Sequence, residues 1–431
     1  MRSEVETSIG MSRKWDAREA GREVAESAIK KLTRPPDFFL LFSTIHFEKY
    51  GGFQEFLAGV WDVLPKETPL VGGTVTGFMN NYGCFSRGAS ALAVSNPSMD
   101  VAIGVGKNTK RNPHRAAKQC ADMIQNSLRT SQYTNKFLLN FISGPVMPSI
   151  PGVGQKKYIR SGFISKFSLQ ALGLSQALLQ KGLGREDEIF EDTVQQLPSY
   201  QMILGTSMDD YKGMRNYQFF NDKILTNAVV NLGISTDLDL DVCTTHGMKE
   251  TDLRFTITKL GAKNHAICKI NNKPAVPELM RILHWPEGFL TEETMGHTIL
   301  DYPISLKRRG REVPVVMPVI LKDSILVPCI IDDGDVSILT VSGKDLLNAF
   351  RENLHLFDDI QPEFGLLSTC MTILQTLGGK TNQIQEELHH YFKEKSFLLF
   401  YSAGEGIYSP TKDITYANMS FNTAVFGHKE K

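Results

Sequence analysis

Short, wholly apolar runs recur along the chain in a repeated order. Phe38-Phe39-Leu40-Leu41-Phe42-Ser43 lies between Pro35-Pro36 and a Gly51-Gly52 turn, which predicts a strand buried on both faces. Ahead of it, Ala17, Ala20, Val24, Ala28 and Leu32 fall three or four residues apart among charged side chains, predicting an amphipathic helix over residues 15–32. Behind it come a helix over 53–64, a strand over 70–74 that runs into glycine, and a strand over 89–94. The order returns as a strand over 137–143, a helical stretch over 169–193, and strands over 202–207 and 228–230. It returns again as 364–369, a helix over 383–394, then 397–402 and 423–426.

Three copies of one unit (strand, helix, strand, glycine turn, loop, strand) predict an α/β (α+β) fold. The expectation is a two-domain body of mixed sheets covered by helices, with internal strand–helix–strand repeats. Between the second and third copies the texture turns β-rich. Residues 254–258 and 266–270 predict a hairpin, 275–283 a helix, and Asp333-Gly334 a hairpin turn between two later strands. The expected division is a lead-in over 1–35, a first domain over 36–240 and a second over 241–431.

Composition narrows the partners. The 431 residues carry 47 Lys plus Arg against 47 Asp plus Glu, so no excess of cation is available to hold a nucleic acid. No stretch reaches the run of about 18 apolar residues that spans a membrane, and residues 1–14 lack the apolar core of a signal peptide. The six cysteines contain no CxxC pair and read as reduced thiols. A cytoplasmic protein is expected, without nucleic-acid or membrane partners.

The glycine turns are the first candidate site, because a strand emptying into glycine lets backbone N–H groups approach a ligand. Gly72-Gly73-Thr74-Val75-Thr76-Gly77 lacks both the Lys-Ser/Thr of a P-loop and the third glycine of a dinucleotide fingerprint. Carboxylates follow the other two turns: Asp209-Asp210 and Glu405. Turn N–H groups holding a carboxylate beside acids holding an ammonium would suit an amino-acid-like zwitterion. The alternative is that the glycines only turn the chain and the acids are solvated. For nucleophilic chemistry the candidates are Cys370 or a strand-end serine (Ser43, Ser143, Ser402), with His246 as base, but no GxSxG elbow is present. The histidines show no metal-binding spacing, so neither a metal nor a cofactor is expected. Asp332-Asp333-Gly334-Asp335 lacks the distal Glu of a calcium loop, and the basic run 307–311 reads as an exposed turn.

Taken together these segments resemble the FIST family, with its N-terminal and C-terminal domains. The resemblance rests on residues 37–42 with 70–77, on Leu204-Gly205-Thr206-Ser207-Met208-Asp209-Asp210, and on His246-Gly247 with Asn272-Lys273-Pro274-Ala275 and Asp301-Tyr302-Pro303-Ile304. Ser402-Ala403-Gly404-Glu405-Gly406-Ile407 and the Asn-containing segment 418–422 complete it. The chain departs from the family pattern at Thr206, where glycine is usual, and at Ile373, where arginine is frequent.

The resemblance implies a non-catalytic sensory module for a small polar ligand such as an amino acid or a derivative, working through a separate signalling partner. Its ligand site is expected at Gly72, Gly73, Thr74, Thr76, Gly205, Ser207, Asp210, His246, Cys370, Gly404 and Glu405. An enzyme with a Cys or Ser nucleophile, and a protein-interaction scaffold, are the alternatives.

Overall fold

The computed structural model describes residues 5–148, 156–297, 302–308 and 311–430. Asp301 of the fourth family motif and Arg309-Gly310 of the basic run lie outside the described residues. Each unit opens with a lead strand: Glu6–Ser12, Met99–Lys107 and Asp239–Thr245. A helix crosses back, over Ala17–Ile29, Pro113–Ser127 and Gly343–His355. Asp16, Asn112 and Ser342 start these helices, each side chain accepting from the N–H three residues on.

Next comes a parallel pair of strands. The pairs are Phe38–Ser43 with Leu70–Thr74, Asn135–Ser143 with Gln201–Ser207, and Ile360–Cys370 with Ser396–Ser402. Parallel neighbours need a crossover, and helices such as Gly52–Trp61, Glu186–Gln196 and Thr381–Phe392 supply it. A return strand, Ala89–Ser95, Ala228–Thr236 or Phe421–Lys429, then runs between the lead strand and the parallel pair.

The short hairpin that follows each parallel pair leaves its own sheet. Gly77–Asn80 with Gly83–Phe85, from the first unit, extends the third unit's sheet at Ser396–Ser402. Gln218–Phe220 with Lys223–Leu225, from the second unit, extends the first sheet at Leu70–Thr74. Glu405–Ser409 with Asp413–Ala417, from the third, extends the second sheet at Gln201–Ser207. Three six-stranded sheets of one topology are thereby closed into a ring by exchange. Strands from both sides of residue 240 share two of the three sheets, so the chain halves interleave.

All three sheets feed one central apolar core, which takes in Phe38, Phe137, Phe364, Leu398, Phe400 and Phe426 among others. Near the ends of the parallel pairs, one phenylalanine from each unit meets the other two. Phe42 and Phe141 have ring centroids 5.2 Å apart, Phe42 and Phe400 4.4 Å, and Phe141 and Phe400 5.8 Å. These distances are those of interacting aromatic pairs, so the ring of sheets is plugged by packing at this level.

The β-rich insert is a sheet of its own. Met248–Gly261 pairs with Ala266–Ile270 as the expected hairpin, and a helix covers Ala275–Ile282. Two expectations need correction. The stretch 169–193 is two helices, Gly162–Leu178 and Glu186–Gln196, separated by a segment in which Gly182 has φ +143°. Asp333-Gly334 is not a hairpin turn, because Gly334–Val341 pairs with Met248–Gly261 and Ile304–Arg308 rather than with the strand before it.

Candidate ligand-binding site

The turns after Thr74, Ser207 and Ser402 touch one another. Thr74 O accepts from Met208 N–H at 2.8 Å, and the Thr76 hydroxyl donates to Asp209 O at 3.0 Å, which joins the first turn to the second. Thr76 N–H donates to Tyr401 O at 3.2 Å, joining the first to the third. Thr206 Oγ1 accepts from Ala403 and Gly404 N–H at 2.9 and 3.0 Å, joining the second to the third. The departure from glycine at Thr206 therefore supplies the acceptor that pins the third turn. Ile373, the other departure, is fully buried.

These bonds occupy the donors that a ligand carboxylate would need. Thr74 N–H goes to Tyr217 O and Val75 N–H to Ser43 O. The glycines serve close packing. A Cβ on Gly72 would lie 1.8 Å from Leu41 O, and one on Gly205 would lie 2.3 Å from the Phe400 ring. Gly73 pairs with Gln218, whose amide donates to Ser207 Oγ, while Ser207 donates to Asn216 Oδ1 at 2.9 Å.

The acid that organises the second turn is Asp209. Its Oδ1 accepts from Lys212 and Gly213 N–H at 2.9 and 2.8 Å, and its Oδ2 from Met214 and Arg215 N–H at 2.7 and 3.2 Å. Asp210 points outward and pairs with Lys212 at 2.8 Å, both half exposed.

Behind the third turn lies a buried polar group. The Glu405 carboxyl accepts from the Ser402 hydroxyl at 3.2 Å, and burial holds its pKa well above the usual carboxylate range. Burial, followed by the Glu405 charge, pushes the Cys370 thiol up as well, and its sulfur lies 3.0 Å from the Thr372 hydroxyl. Nearby, burial and then Asp187 raise Glu186 to about 8, against the pull of Lys110. Burial lowers Lys110 to about 8, and its ammonium donates to Gly144 O and Asn227 Oδ1 at 2.9 and 3.0 Å. His246 is exposed between Asp239–Thr245 and Met248–Gly261, and its Nδ1 accepts from Met248 N–H at 3.4 Å. Among the described residues, no hydrogen bond joins it to Cys370 or to the turns.

Glu186 makes stability pH-dependent with a definite sign. The folded state keeps this proton up to about 8, while an unfolded carboxyl releases it near 4.5. Its contribution is complete below about 4.5 and is lost as pH rises towards about 8. Glu186→Gln is expected to flatten that decline by on the order of 3–5 kcal/mol, measured by urea unfolding at the two ends of the window.

A cavity of about 700 Å3 opens on the outer side of the first two turns. Thr76 and Asp210 line it, together with Trp15, His46, Glu48, Arg87, Lys212 and Arg215. The other expected site residues (Gly72, Gly73, Thr74, Gly205, Ser207, His246, Cys370, Gly404 and Glu405) are not in its lining. The Arg87 guanidinium stands 3.9 Å over the Trp15 ring, whose edge meets Tyr50 and His46. Burial, then Arg87, holds His46 neutral down to about 4, and its Nδ1 lies 2.8 Å from the Thr44 hydroxyl. Glu48 is occupied by Arg215 at 2.8 Å and by the Tyr217 hydroxyl. Arg87 donates to Arg13 O and has no carboxylate partner among the described residues. Sequence reasoning singled out none of Trp15, His46, Glu48, Arg87 and Arg215, and no motif marks them.

The FIST N domain profile matches residues 37–273, more than half of the chain. The chain belongs to the FIST family. At the family level the FIST domain is associated with sensing of small ligands. A search of curated proteins finds no match to this FIST chain. Among solved structures, cyanuric acid hydrolase from A. caulinodans aligns at 7% identity over 99% of this chain and 100% of that one, with a TM-score of 0.33. PurLQS from Thermotoga maritima aligns at 10% identity over 98% and 72%, with a TM-score of 0.20. Both superpositions are too loose to carry an argument.

Proposed function

We propose that this FIST protein is a non-catalytic sensor that binds a small amino-acid-like zwitterion in the cavity beside the first two turns. Arg87 takes the ligand carboxylate, and Asp210 takes the ammonium by exchanging its surface pairing with Lys212, which is worth little on its own. Trp15, Tyr50 and His46 give the ligand's apolar part an aromatic wall. The observation that carries this reading is Arg87, a cation without a carboxylate partner among the described residues, in a cavity of the size that small molecules occupy. Glu405, Gly404 and the remaining turn residues act as the scaffold that fixes the cavity wall. The buried Cys370, with its raised thiol pKa, supports a non-catalytic reading, since a nucleophilic thiol needs the opposite shift. Output passes to a separate signalling partner.

A thermal-shift screen against amino acids and their derivatives tests this. A ligand at about 100 times its Kd adds about 2.7 kcal/mol of stability. The expected result is a rise in Tm with at least one zwitterion and none with its decarboxylated amine. A flat response across the panel would remove the reading.

A further inference from the structure

Eleven large apolar side chains are exposed among the described residues, and five of them lie within residues 163–179. Phe163, Phe167, Leu174, Leu178 and Leu179 are 59–84% exposed. On the helix Gly162–Leu178, residues 163, 167, 174 and 178 fall within an arc of about 60°, on a stripe about 22 Å long. The opposite face is already used, with Leu169 and Leu172 packing on the edge of the β-rich insert, and Ile164 joins them from the flank. The exposed face is therefore apolar without being part of the core.

Its charge setting is as unusual as its polarity. From residue 123 to residue 185 the sequence holds no Asp or Glu but eight Lys or Arg, in a chain of zero net charge. Exposed cations flank both ends of the stripe. Arg160 precedes the helix, and the Lys322 side chain packs at Gly162. At the other end Lys181 follows, and Arg111 donates to Ala177 O and Leu178 O at 2.6 and 3.1 Å. The acids beside the two ends are engaged: Glu292 accepts from Lys157 and Tyr158 N–H before the helix, and Glu188, seven residues after Lys181, pairs with Arg185.

We propose that this helix docks the protein on an anionic lipid surface. It lies in the plane of the interface, with Phe163, Phe167, Leu174 and Leu178 at the acyl boundary and the flanking cations among the headgroups. A second copy of the chain fits less well. In a two-fold contact the cations at each end of the stripe would face like cations of the copy, which disfavours pairing. Among the described residues no helix is long and apolar enough to cross a membrane, and the expectation of no membrane partner rested on the lack of an apolar run of spanning length and of a signal-peptide core. A peripheral contact does not require a spanning segment.

Vesicle co-sedimentation of the full chain tests the proposal, using phosphatidylcholine with and without phosphatidylglycerol. Binding should be about 10-fold stronger with the anionic lipid and should weaken as salt rises. The double variant Phe163→Ser, Phe167→Ser should lose about 10-fold in binding while melting like the wild type, since both side chains are exposed. Arg160→Glu with Lys181→Glu should abolish the preference for anionic lipid. Absence of wild-type binding, binding that the serine variant leaves unchanged, or a wild-type dimer that this variant dissociates would each overturn the proposal.

Discussion

Asp209→Ala is expected to lower stability by about 3–5 kcal/mol, because four backbone donors lose one charged acceptor. Among the described residues the loop from Lys212 to Arg215 has no other organiser of that kind, and it carries two cations of the cavity wall. The variant should therefore also lose ligand response at temperatures where it remains folded. For stability alone, Asp210→Ala is the control: its exposed pair with Lys212 is worth no more than about 1 kcal/mol. Urea unfolding of the two variants checks the contrast. Equal midpoints would show that Asp209 does not organise the turn.

Phe400→Ala is expected to cost about 3–5 kcal/mol, the range for removing a fully buried aromatic ring. This ring stacks on Phe42, meets the edge of Phe141, and lies where a side chain on Gly205 would have to go. Its loss opens a cavity where all three units meet, so no single sheet can close it by a local shift. A double-mutant cycle with Phe42→Ala should show a coupling of about 0.5–1.5 kcal/mol. Additive losses would mean that the rings are neighbours without interacting.

The parallel strand pairs could be read from sequence because they are buried on both faces and so form unbroken apolar runs, as in Phe38–Ser43 and Ser396–Ser402. The lead strand Glu6–Ser12 could not. It has a single neighbour in its sheet, and its short polar-rich sequence shows no strand pattern. The exchange of hairpins was equally hidden, since a three-residue strand such as Gln218–Phe220 carries no information about which distant strand it will join. At the candidate site, the glycine turns were visible but their role was not. Whether a turn N–H is free depends on acceptors such as Tyr217 O and Thr206 Oγ1, which only the fold brings into place. Adjacent acids were likewise indistinguishable in sequence, although Asp209 faces four N–H groups and Asp210 faces solvent. Trp15, His46 and Arg87 come from three separate segments and share no spacing.

The cavity is the centre of the functional account, and Arg87 is its most specific element. Isothermal titration of the wild type and of Arg87→Ala, with the amino acid that most raises Tm, tests it most directly. The account predicts one site per chain and a loss of at least about 10-fold in affinity in the variant, the equivalent of about 1.4 kcal/mol for a lost charged contact. Unchanged affinity in Arg87→Ala would place the ligand elsewhere and contradict the account.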